Sequence, residues 1–195
     1  MPRRPGLTRE SVVERAAELV DREGLPALSL AQLARSLGVR APSLYNHVDG
    51  LDDLRGALRL RGLERLERRI ARAAVGRARR DALVAVAEAY RAFAGEHPGL
   101  YALTAGAGGG GAGSGRDAAA AEAAGSRVVG IVLDVLRGYG LEGDEALHAV
   151  RALRSSLHGF VSLERAGAFE LPLDLDASFE RLIDLHHAGL ERAGG

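Results

Sequence analysis

The apolar residues of the chain recur three and four positions apart over most of its length, which places them on one face of an α-helix. The first such stretch begins after Thr8, whose hydroxyl suits an N-cap, and ends before Gly24, which suits a left-handed C-cap. A second stretch begins at Ser29, where Ser-Leu-Ala-Gln has the form of a capping box, and stops at Gly38. The pattern predicts two helices joined by a short turn.

A third predicted helix follows, because Pro42 suits a first helical turn, where its missing N–H would have had no partner. At about 100° per residue, Ala41 and Val48 fall on the same side as Leu44 and make that side apolar. The opposite side is small or hydrogen-bonding. It carries Pro42, Ser43 and Asn46, with Tyr45 on one flank.

Longer helical patterns fill most of the remaining sequence. Leu51–Ala74 is rich in arginine and carries leucine and isoleucine at helical spacing. Glycine at the density of residues 105–115 holds neither a helix nor a strand, so a mobile loop is predicted there, and its role stays open. Further helices are predicted over residues 80–95, 118–137, 144–166 and 176–192, with a short one after 97–103.

Composition agrees with an all-α fold class, because alanine, leucine and arginine are abundant and clusters of β-branched residues are few. The absence of cysteine and lysine excludes disulfides, thiolate zinc sites, cysteine nucleophiles, Walker P-loops and Schiff-base lysines. His186 and His187 lack a metalloprotease spacing, so neither a metal site nor a cofactor is predicted. No window approaches the roughly 18 apolar residues of a membrane span, and we expect a soluble, cytoplasmic protein.

Because the formal net charge of the chain is zero, only the local distribution of charged residues can indicate a binding partner. Residues 24–48 contain Arg35, Arg40 and His47 but no aspartate or glutamate. A carboxylate facing phosphate would be repelled, so the acid-free segment favours a polyanion as partner. Helix, glycine-centred turn and outwardly polar helix together indicate a helix-turn-helix, although a helical hairpin built only for packing has the same pattern.

Residues 8–54 resemble the N-terminal DNA-binding domain of the tetracycline-repressor (TetR) family of bacterial transcription regulators, in the sequence TRESVVERAAELVDREGLPALSLAQLARSLGVRAPSLYNHVDGLDDL. The pattern LA..LGV..P.LY.HV joins turn, recognition helix and exit in the family's order. The resemblance implies that Ser29, Tyr45 and His47 contact phosphates, and that Arg40, Pro42, Ser43 and Asn46 face bases or the sugar edge of double-stranded DNA. The alternative to a phosphate contact is, for Tyr45, a ring packed into the domain and, for His47, an exposed or capping side chain.

Two features beside this segment bear on DNA contact. After Gly50 the family often has a lysine that meets phosphate, and here the residue is Leu51. Helix N-terminal amides can still bind phosphate at that place. Arg3, Arg4 and Arg9 form a candidate arm towards the DNA backbone or minor groove, with a solvated tail as the alternative.

The rest of the chain is similar to the ligand-binding domains of a TetR subgroup, in HPGLYAL, the glycine-rich stretch and SLHGFVSLE. Leu157-His158-Gly159 resembles a Trp-His-Gly motif with leucine in place of tryptophan. The resemblance implies a homodimeric regulator, most often a repressor, that a small-molecule effector releases from DNA. We expect a DNA-binding domain at 1–53 and an effector-binding and dimerisation domain at 54–195. The candidate pocket residues, each with core packing as the alternative, are Tyr90, Phe93, Tyr101, His158 and Phe160.

Dimerisation is predicted through two late helices. Residues 127–137 are apolar almost all round, which suits burial on two sides, and the next helix carries small residues that let a partner helix approach. Two copies would place recognition helices about 34–36 Å apart on a near-palindromic operator. The candidate interface residues are Val128, Val132, Val135, Ala149, Ala152, Ser156 and Gly159.

Two other functions stay open on the sequence alone. One is an architectural protein that binds DNA without sequence preference, which equal affinity for random and promoter DNA would indicate. The other is a small helical enzyme, for which the sequence has no nucleophile–base pair, paired acids or metal-ligand spacing. We therefore expect a regulator and not an enzyme.

Overall fold

The structure is a computed structural model that describes residues 6–106 and 116–194 of the chain. These residues form helices, turns and irregular connections without any β-strand, which confirms the all-α prediction. Short 3₁₀ segments lie at Leu25–Ala27 and Ala41–Asn46. The α-helices are α1 (Arg9–Glu23), α2 (Leu30–Leu37), α3 (Leu51–Ala74), α4 (Arg79–Glu96), α5 (Pro98–Ala105), α6 (Ala118–Arg137), α7 (Gly143–Arg165) and α8 (Leu175–Ala193).

The contacts among residues divide the chain into two compact units, called unit 1 and unit 2 below. Unit 1 comprises Met1–Glu64 and Glu96–Ala124, and unit 2 comprises Arg65–Gly95 and Gly125–Gly195. Helix α5 and the beginning of α6 thus group with the N-terminal helices, whereas the boundary expected from sequence lies between residues 53 and 54. The functional division into 1–53 and 54–195 stays a prediction.

Helix α1 begins as its sequence predicts and ends differently. The Thr8 hydroxyl accepts the Ser11 backbone N–H, and the Ser11 hydroxyl accepts the Thr8 N–H, which completes a capping box. Gly24 ends the helix with φ 83° and ψ 162°. The positive φ suits glycine, but the predicted left-handed C-cap is wrong because this ψ extends the chain into the following 3₁₀ turn.

Helix α2 keeps half of its predicted capping box. The Ser29 hydroxyl accepts the backbone N–H of Gln32 at an N–O distance of 3.2 Å. The Gln32 side chain donates to the Glu23 carboxylate of α1 instead of returning to Ser29. At the other end Gly38 adopts the left-handed conformation, with φ 68° and ψ 29°, and sets the tight turn that the sequence predicts.

The predicted third helix is a 3₁₀ segment, Ala41–Asn46, and not an α-helix. Its bonds include Ser43 N–H to the Arg40 carbonyl at 2.9 Å and His47 N–H to the Leu44 carbonyl at 2.8 Å. The bonds within the segment join residues three apart, which is the 3₁₀ pattern. Successive side chains are therefore rotated by about 120° around the helix axis and not by the predicted 100°, since a 3₁₀ helix has roughly three residues per turn.

A fully buried core supports the 3₁₀ segment within unit 1. Leu44 and Val48 have no exposed surface and anchor the segment to the helices around it. The apolar residues predicted for α3 are buried as expected, which fixes the start of that helix. The main members of this core are Val12, Ala16, Leu19, Leu33, Leu44, Val48, Leu54 and Leu58.

Helix α5 is docked on α1 by a carboxylate and a glycine. The Asp21 carboxylate accepts the Gly99 and Leu100 N–H groups at 3.0 and 3.1 Å, and lies 2.8 Å from His97 Nδ1. A residue of α1 therefore caps the first turn of α5. An added Cβ at Gly99 would lie 2.7 Å from Val20 Cβ and closer still to the Val20 carbonyl, so the two backbones approach too closely for a side chain.

Unit 2 has a core of its own, built from α4, α7, α8 and the second part of α6. Ion pairs connect the surfaces of α4 and α8, with Arg79 bound to Glu191 at 2.6 Å and Arg80 bound to Asp184 at 2.7 Å. The buried core residues are Leu83, Ala87, Leu136, Tyr139, Leu141, Ala146, Val150, Leu153, Leu157, Phe179, Ile183 and Leu190.

Two sequence predictions fall wholly or partly outside the described residues. The glycine-rich stretch 105–115 begins with Ala105, the last residue of α5, and Gly106, its left-handed C-cap with φ 93°. Residues 107–115 lie outside the described part of the chain, as do Arg3 and Arg4 of the candidate arm.

Candidate nucleic-acid interface

The residues predicted to meet bases lie together on the connection between α2 and α3. Within it the side chains of Pro42, Tyr45 and Asn46 are exposed, and Tyr45 keeps 60% of its surface open. This exposure contradicts the alternative in which the Tyr45 ring packs into the core. Of the other predicted residues, Arg40 is exposed, and Ser43 and His47 are half-buried.

The 3₁₀ geometry arranges the outward side chains as two pairs. Residues three apart eclipse each other in such a helix, so Tyr45 lies above Pro42 and Asn46 above Ser43. The lower residue of each pair is small and allows the backbone to approach a groove. The upper residue carries a hydroxyl or an amide, and an asparagine amide can form two hydrogen bonds with an adenine edge.

Ser29 lies at the start of α2 with its side chain exposed. Its hydroxyl oxygen already accepts the Gln32 N–H, while a hydroxyl has one proton to donate as well. The exposed N-terminus of α2 adds a partial positive charge. Ser29 is thus suited to donate to a phosphate oxygen while it caps the helix.

An ion cluster that sequence reasoning missed lies directly behind the 3₁₀ segment. Arg9 binds both carboxylate oxygens of Asp53 at 2.7 and 3.1 Å and one oxygen of Asp117 at 2.5 Å. It also donates to the His47 carbonyl at 2.8 Å. Arg9 is therefore not part of a free arm, which corrects that prediction, and it ties the end of the 3₁₀ segment to the start of α3 instead. No local signal could have found a cluster whose members lie 44 and 108 positions from Arg9.

Asp53 is the acid at the centre of this cluster and is only 8% exposed. The Arg9 guanidinium that donates to it lowers its pKa, against the opposing effect of burial, and the Asp49 N–H at 3.0 Å lowers the pKa further. The hydrogen bond to Asp53 is also the main reason why the pKa of Arg9 is raised. Asp53 thus stays ionised and paired in the folded protein at neutral pH.

The lowered pKa of Asp53 predicts a pH-dependent stability. Because the folded pKa lies below the unfolded value of about 3.9, the contribution of Asp53 is present above that value and is lost as the pH falls through the folded pKa. We expect Asp53→Asn to lower the free energy of unfolding by about 1–3 kcal/mol at pH 7 and by less at pH 3, which lies below the unfolded pKa. Urea denaturation at the two pH values measures this difference. The control is Asp52→Asn, which changes a neighbouring side chain that is 81% exposed. If Asp53→Asn lowered the free energy of unfolding equally at both pH values, that result would contradict the argument.

The five candidate pocket residues do not all group together. Tyr101 is buried in unit 1, whereas the other four belong to unit 2. There Phe93 is fully buried, and Tyr90 and Phe160 pack partly buried against the unit 2 core. Phe160 also contacts the rings of Phe169 and Phe179, with centroids 4.9 and 5.0 Å apart. His158 is half-buried on α7, in the same unit.

A groove of about 450 Å³ lies between α4 and α7 in unit 2, and none of the five candidate pocket residues lines it. Two of its charged residues pair with each other, because Arg91 binds Glu164 at 2.9 Å; Arg91 also binds Asp176 at 2.7 Å and lies over the Phe179 ring at 4.8 Å. The lining residues are Glu88, Arg91, Ala92, Gly95, Val161, Glu164 and Arg165.

Two kinds of feature do not occur in the described part of the chain. Across residues 6–106 and 116–194, no three His, Asp or Glu side chains gather in a group that could hold a metal ion. In the same part of the chain no helix has the length and apolar character needed to cross a membrane.

Comparison with known proteins identifies the family. Residues 83–186 match the tetracyclin repressor-like C-terminal domain. The chain is 42% identical to an uncharacterized HTH-type transcriptional regulator of Mycobacterium tuberculosis, over 95% of this chain and 83% of that protein. It is 38% identical to the HTH-type regulator YobS of Bacillus subtilis, over 97% and 96%.

Solved structures agree with this result. The regulatory protein SCO4313 superimposes with a TM-score of 0.73 at 26% identity, over 91% of this chain and 94% of that one. A TetR variant from Acinetobacter baumannii, solved with minocycline, has a TM-score of 0.71 at 24% identity, over 97% and 99%, and supports the fold. The chain therefore belongs to the tetracycline-repressor (TetR) family of DNA-binding transcriptional regulators.

Proposed function

We propose that the segment Ala41–Asn46 reads the bases of an operator in the major groove. Arg40, Pro42, Ser43 and Asn46 face base edges or sugars, and Ser29, Tyr45 and His47 hold phosphates. The observation that carries the proposal is the exposed Tyr45–Asn46 pair on a rigidly anchored segment, within 25 residues that contain no acid. Phosphate contacts fix the register of such a segment and base contacts give it specificity.

The experiment that tests this function is a competition between the DNA upstream of the chain's own gene and a random duplex at physiological salt. A specific regulator prefers its operator by a factor of about 10³ or more. Equal affinity for both duplexes would favour the architectural alternative. If neither duplex binds, both DNA-binding readings fail and the enzyme alternative gains support.

The proposed regulator acts as a homodimer on a near-palindromic operator. The predicted interface residues of α6 are partly used within one protomer, since Val132 packs against the unit 2 core and Val135 is buried. On α7, Ala149 also packs against this core, but Ala152 is exposed and an added Cβ at Gly159 meets no atom within 4 Å, so this part of the stripe with Ser156 is open to a partner helix. Large apolar side chains are also exposed on the two helices α7 and α8, at Leu163 on the side of the small-residue stripe and at Leu185. We therefore extend the proposed interface from α6 and α7 to α8.

This interface predicts a monomeric variant. Leu185 is 72% exposed, and Leu185→Asp places a charge where the partner would bury an apolar surface. We expect a dimer for the wild type and a monomer for Leu185→Asp at micromolar concentration in sedimentation velocity. Leu171→Asp is the matched control, because Leu171 is 74% exposed and belongs to none of the helices α6, α7 and α8.

Either of two results would contradict this interface. A monomeric wild type would exclude the dimer itself. A dimeric Leu185→Asp variant would exclude α8 and return the interface to α6 and α7.

A small-molecule effector is proposed to bind in unit 2 on Tyr90, Phe93, His158 and Phe160, with Tyr101 as a fifth candidate in unit 1. Aromatic side chains with a few polar groups are typical of small-molecule sites. Helix α3 contributes Leu51–Glu64 to unit 1 and continues into unit 2 from Arg65, so it is the proposed lever between effector and DNA. A coupling of about 1–3 kcal/mol would lower operator affinity by about 5- to 150-fold. The regulator acts in the cytoplasm, where it meets the operator, and carries no catalytic activity in this proposal.

A further inference from the structure

Arg116 lies beside the start of α3, far from its neighbours in sequence. Its Nη2 atom is 2.6 Å from Asp49 Oδ2, and its Nε atom is 3.8 Å from Asp53 Oδ1. Asp49 follows His47 by two residues and precedes Leu51 by two. The chain region just before α6 therefore reaches the exit of the DNA-facing segment, inside unit 1.

The start of α3 carries a local excess of negative charge. Asp49, Asp52 and Asp53 follow the 3₁₀ segment directly, and Leu51 supplies no cation among them. Acids suit a helix N-terminus but repel an approaching phosphate. Arg9 pairs with Asp53 and also with Asp117, Arg55 pairs with Asp52 at 3.2 Å, and Arg116 pairs with Asp49.

We propose that Arg116 is a DNA-binding residue that contacts an operator phosphate beside the N-terminus of α3. The proposal rests on the proposed function, because it requires His47 and the preceding segment to lie on DNA. The Arg116 side chain is 51% exposed, and a guanidinium presents five N–H donors in a fork that matches a phosphate. One nitrogen engages Asp49, so the same group neutralises that acid and presents a cation to the backbone. Arg116 thus supplies the positive charge that Leu51 lacks.

The test measures operator affinity and its salt dependence. The probe is the duplex that the wild-type chain selects from random DNA, titrated at several KCl concentrations. We expect Arg116→Gln to weaken binding about 5- to 50-fold near 0.1 M salt and to reduce the slope of log K against log[KCl] by about 0.9 for each protomer. The loss should be similar for operator and random DNA, because a phosphate carries no sequence information. Arg116→Lys should restore the slope.

Arg127→Gln is the matched control. Arg127 lies on α6 with its side chain 53% exposed and paired to Glu67 at 2.8 Å, so this substitution also removes one exposed arginine and one ion pair. We expect Arg127→Gln to have the same slope of log K against log[KCl] as the wild type. Thermal unfolding of all variants reports any structural effect.

Three outcomes would overturn the proposal. If Arg116→Gln keeps the wild-type slope, with or without a lower melting temperature, Arg116 is a tether for Asp49 and not a DNA contact. If the wild type itself selects no sequence, the proposed function fails together with this contact. A wild type that selects its operator while Arg116→Gln binds it equally well removes the contact alone.

Discussion

Operator recognition is expected to disappear when Tyr45 and Asn46 are both replaced by alanine. Each protomer would lose a phosphate contact and a base contact, and a bidentate asparagine–adenine pair contributes about 1–3 kcal/mol of discrimination. Since a dimer carries two copies, we expect operator affinity to fall by about 100-fold or more. Both side chains are exposed, so their removal should leave the core around Leu44 unchanged.

The single variants separate the two contributions. Tyr45→Phe removes only the hydroxyl and should weaken all DNA sequences similarly, whereas Asn46→Ala should blunt discrimination at one position of each half-site. Ser126→Ala, an exposed neutral substitution on α6, is the control. Unchanged operator affinity in the double variant, with an intact circular dichroism spectrum, would remove the 3₁₀ segment from the interface.

The largest expected effect on stability follows Gly99→Ala. The added Cβ would meet the Val20 backbone carbonyl and would lie 2.7 Å from Val20 Cβ, and a backbone group cannot rotate away as a side chain tip can. Helix α5 would have to move off α1, and the Asp21 carboxylate would lose its bonds to the Gly99 and Leu100 amides. We expect the free energy of unfolding to fall by about 3 kcal/mol or more, at the upper end for overpacked sites.

Gly95→Ala is the control for this prediction. Gly95 lies on α4 with nothing within 4 Å of an added Cβ, and alanine in a helix is favoured over glycine by about 0.5–1 kcal/mol. Urea denaturation should therefore show opposite signs for the two glycine variants. Equal stability of Gly99→Ala and the wild type would show that α1 and α5 do not approach as closely as described.

The helices could be predicted from sequence because each depends on its own apolar spacing and caps. The bounds of α3 and α6 are the predicted ones, and those of α4, α7 and α8 differ by one residue at each end. The sequence could not show in the same way whether Ala41–Asn46 forms an α-helix or a 3₁₀ helix. Six residues with one proline satisfy the apolar pattern of either helix, so the sequence does not decide between bonds to the third and to the fourth residue.

Most of the residues proposed to contact DNA could be named from sequence because they lie in one short segment that the family resemblance covers, and their roles stay a prediction. The groups that hold this segment could not be named in this way. Arg9, Asp53, Asp117 and Arg116 come from α1, α3 and the residues before α6, and only the folded chain brings their charges together. Unit 2 shows the same limit, since the pairing of Arg91 with Glu164 depends on the packing of α4 against α7.

Selection of bound duplexes from a random DNA library tests most directly the claim that this chain reads operator sequence as a symmetric dimer. The account predicts enrichment of one near-palindromic sequence whose half-sites lie about one helical turn, or a multiple of it, apart. The Tyr45→Ala/Asn46→Ala variant should enrich no such sequence from the same library. Recovery of unrelated sequences by the wild type, with DNA bound but no motif enriched, would contradict the account.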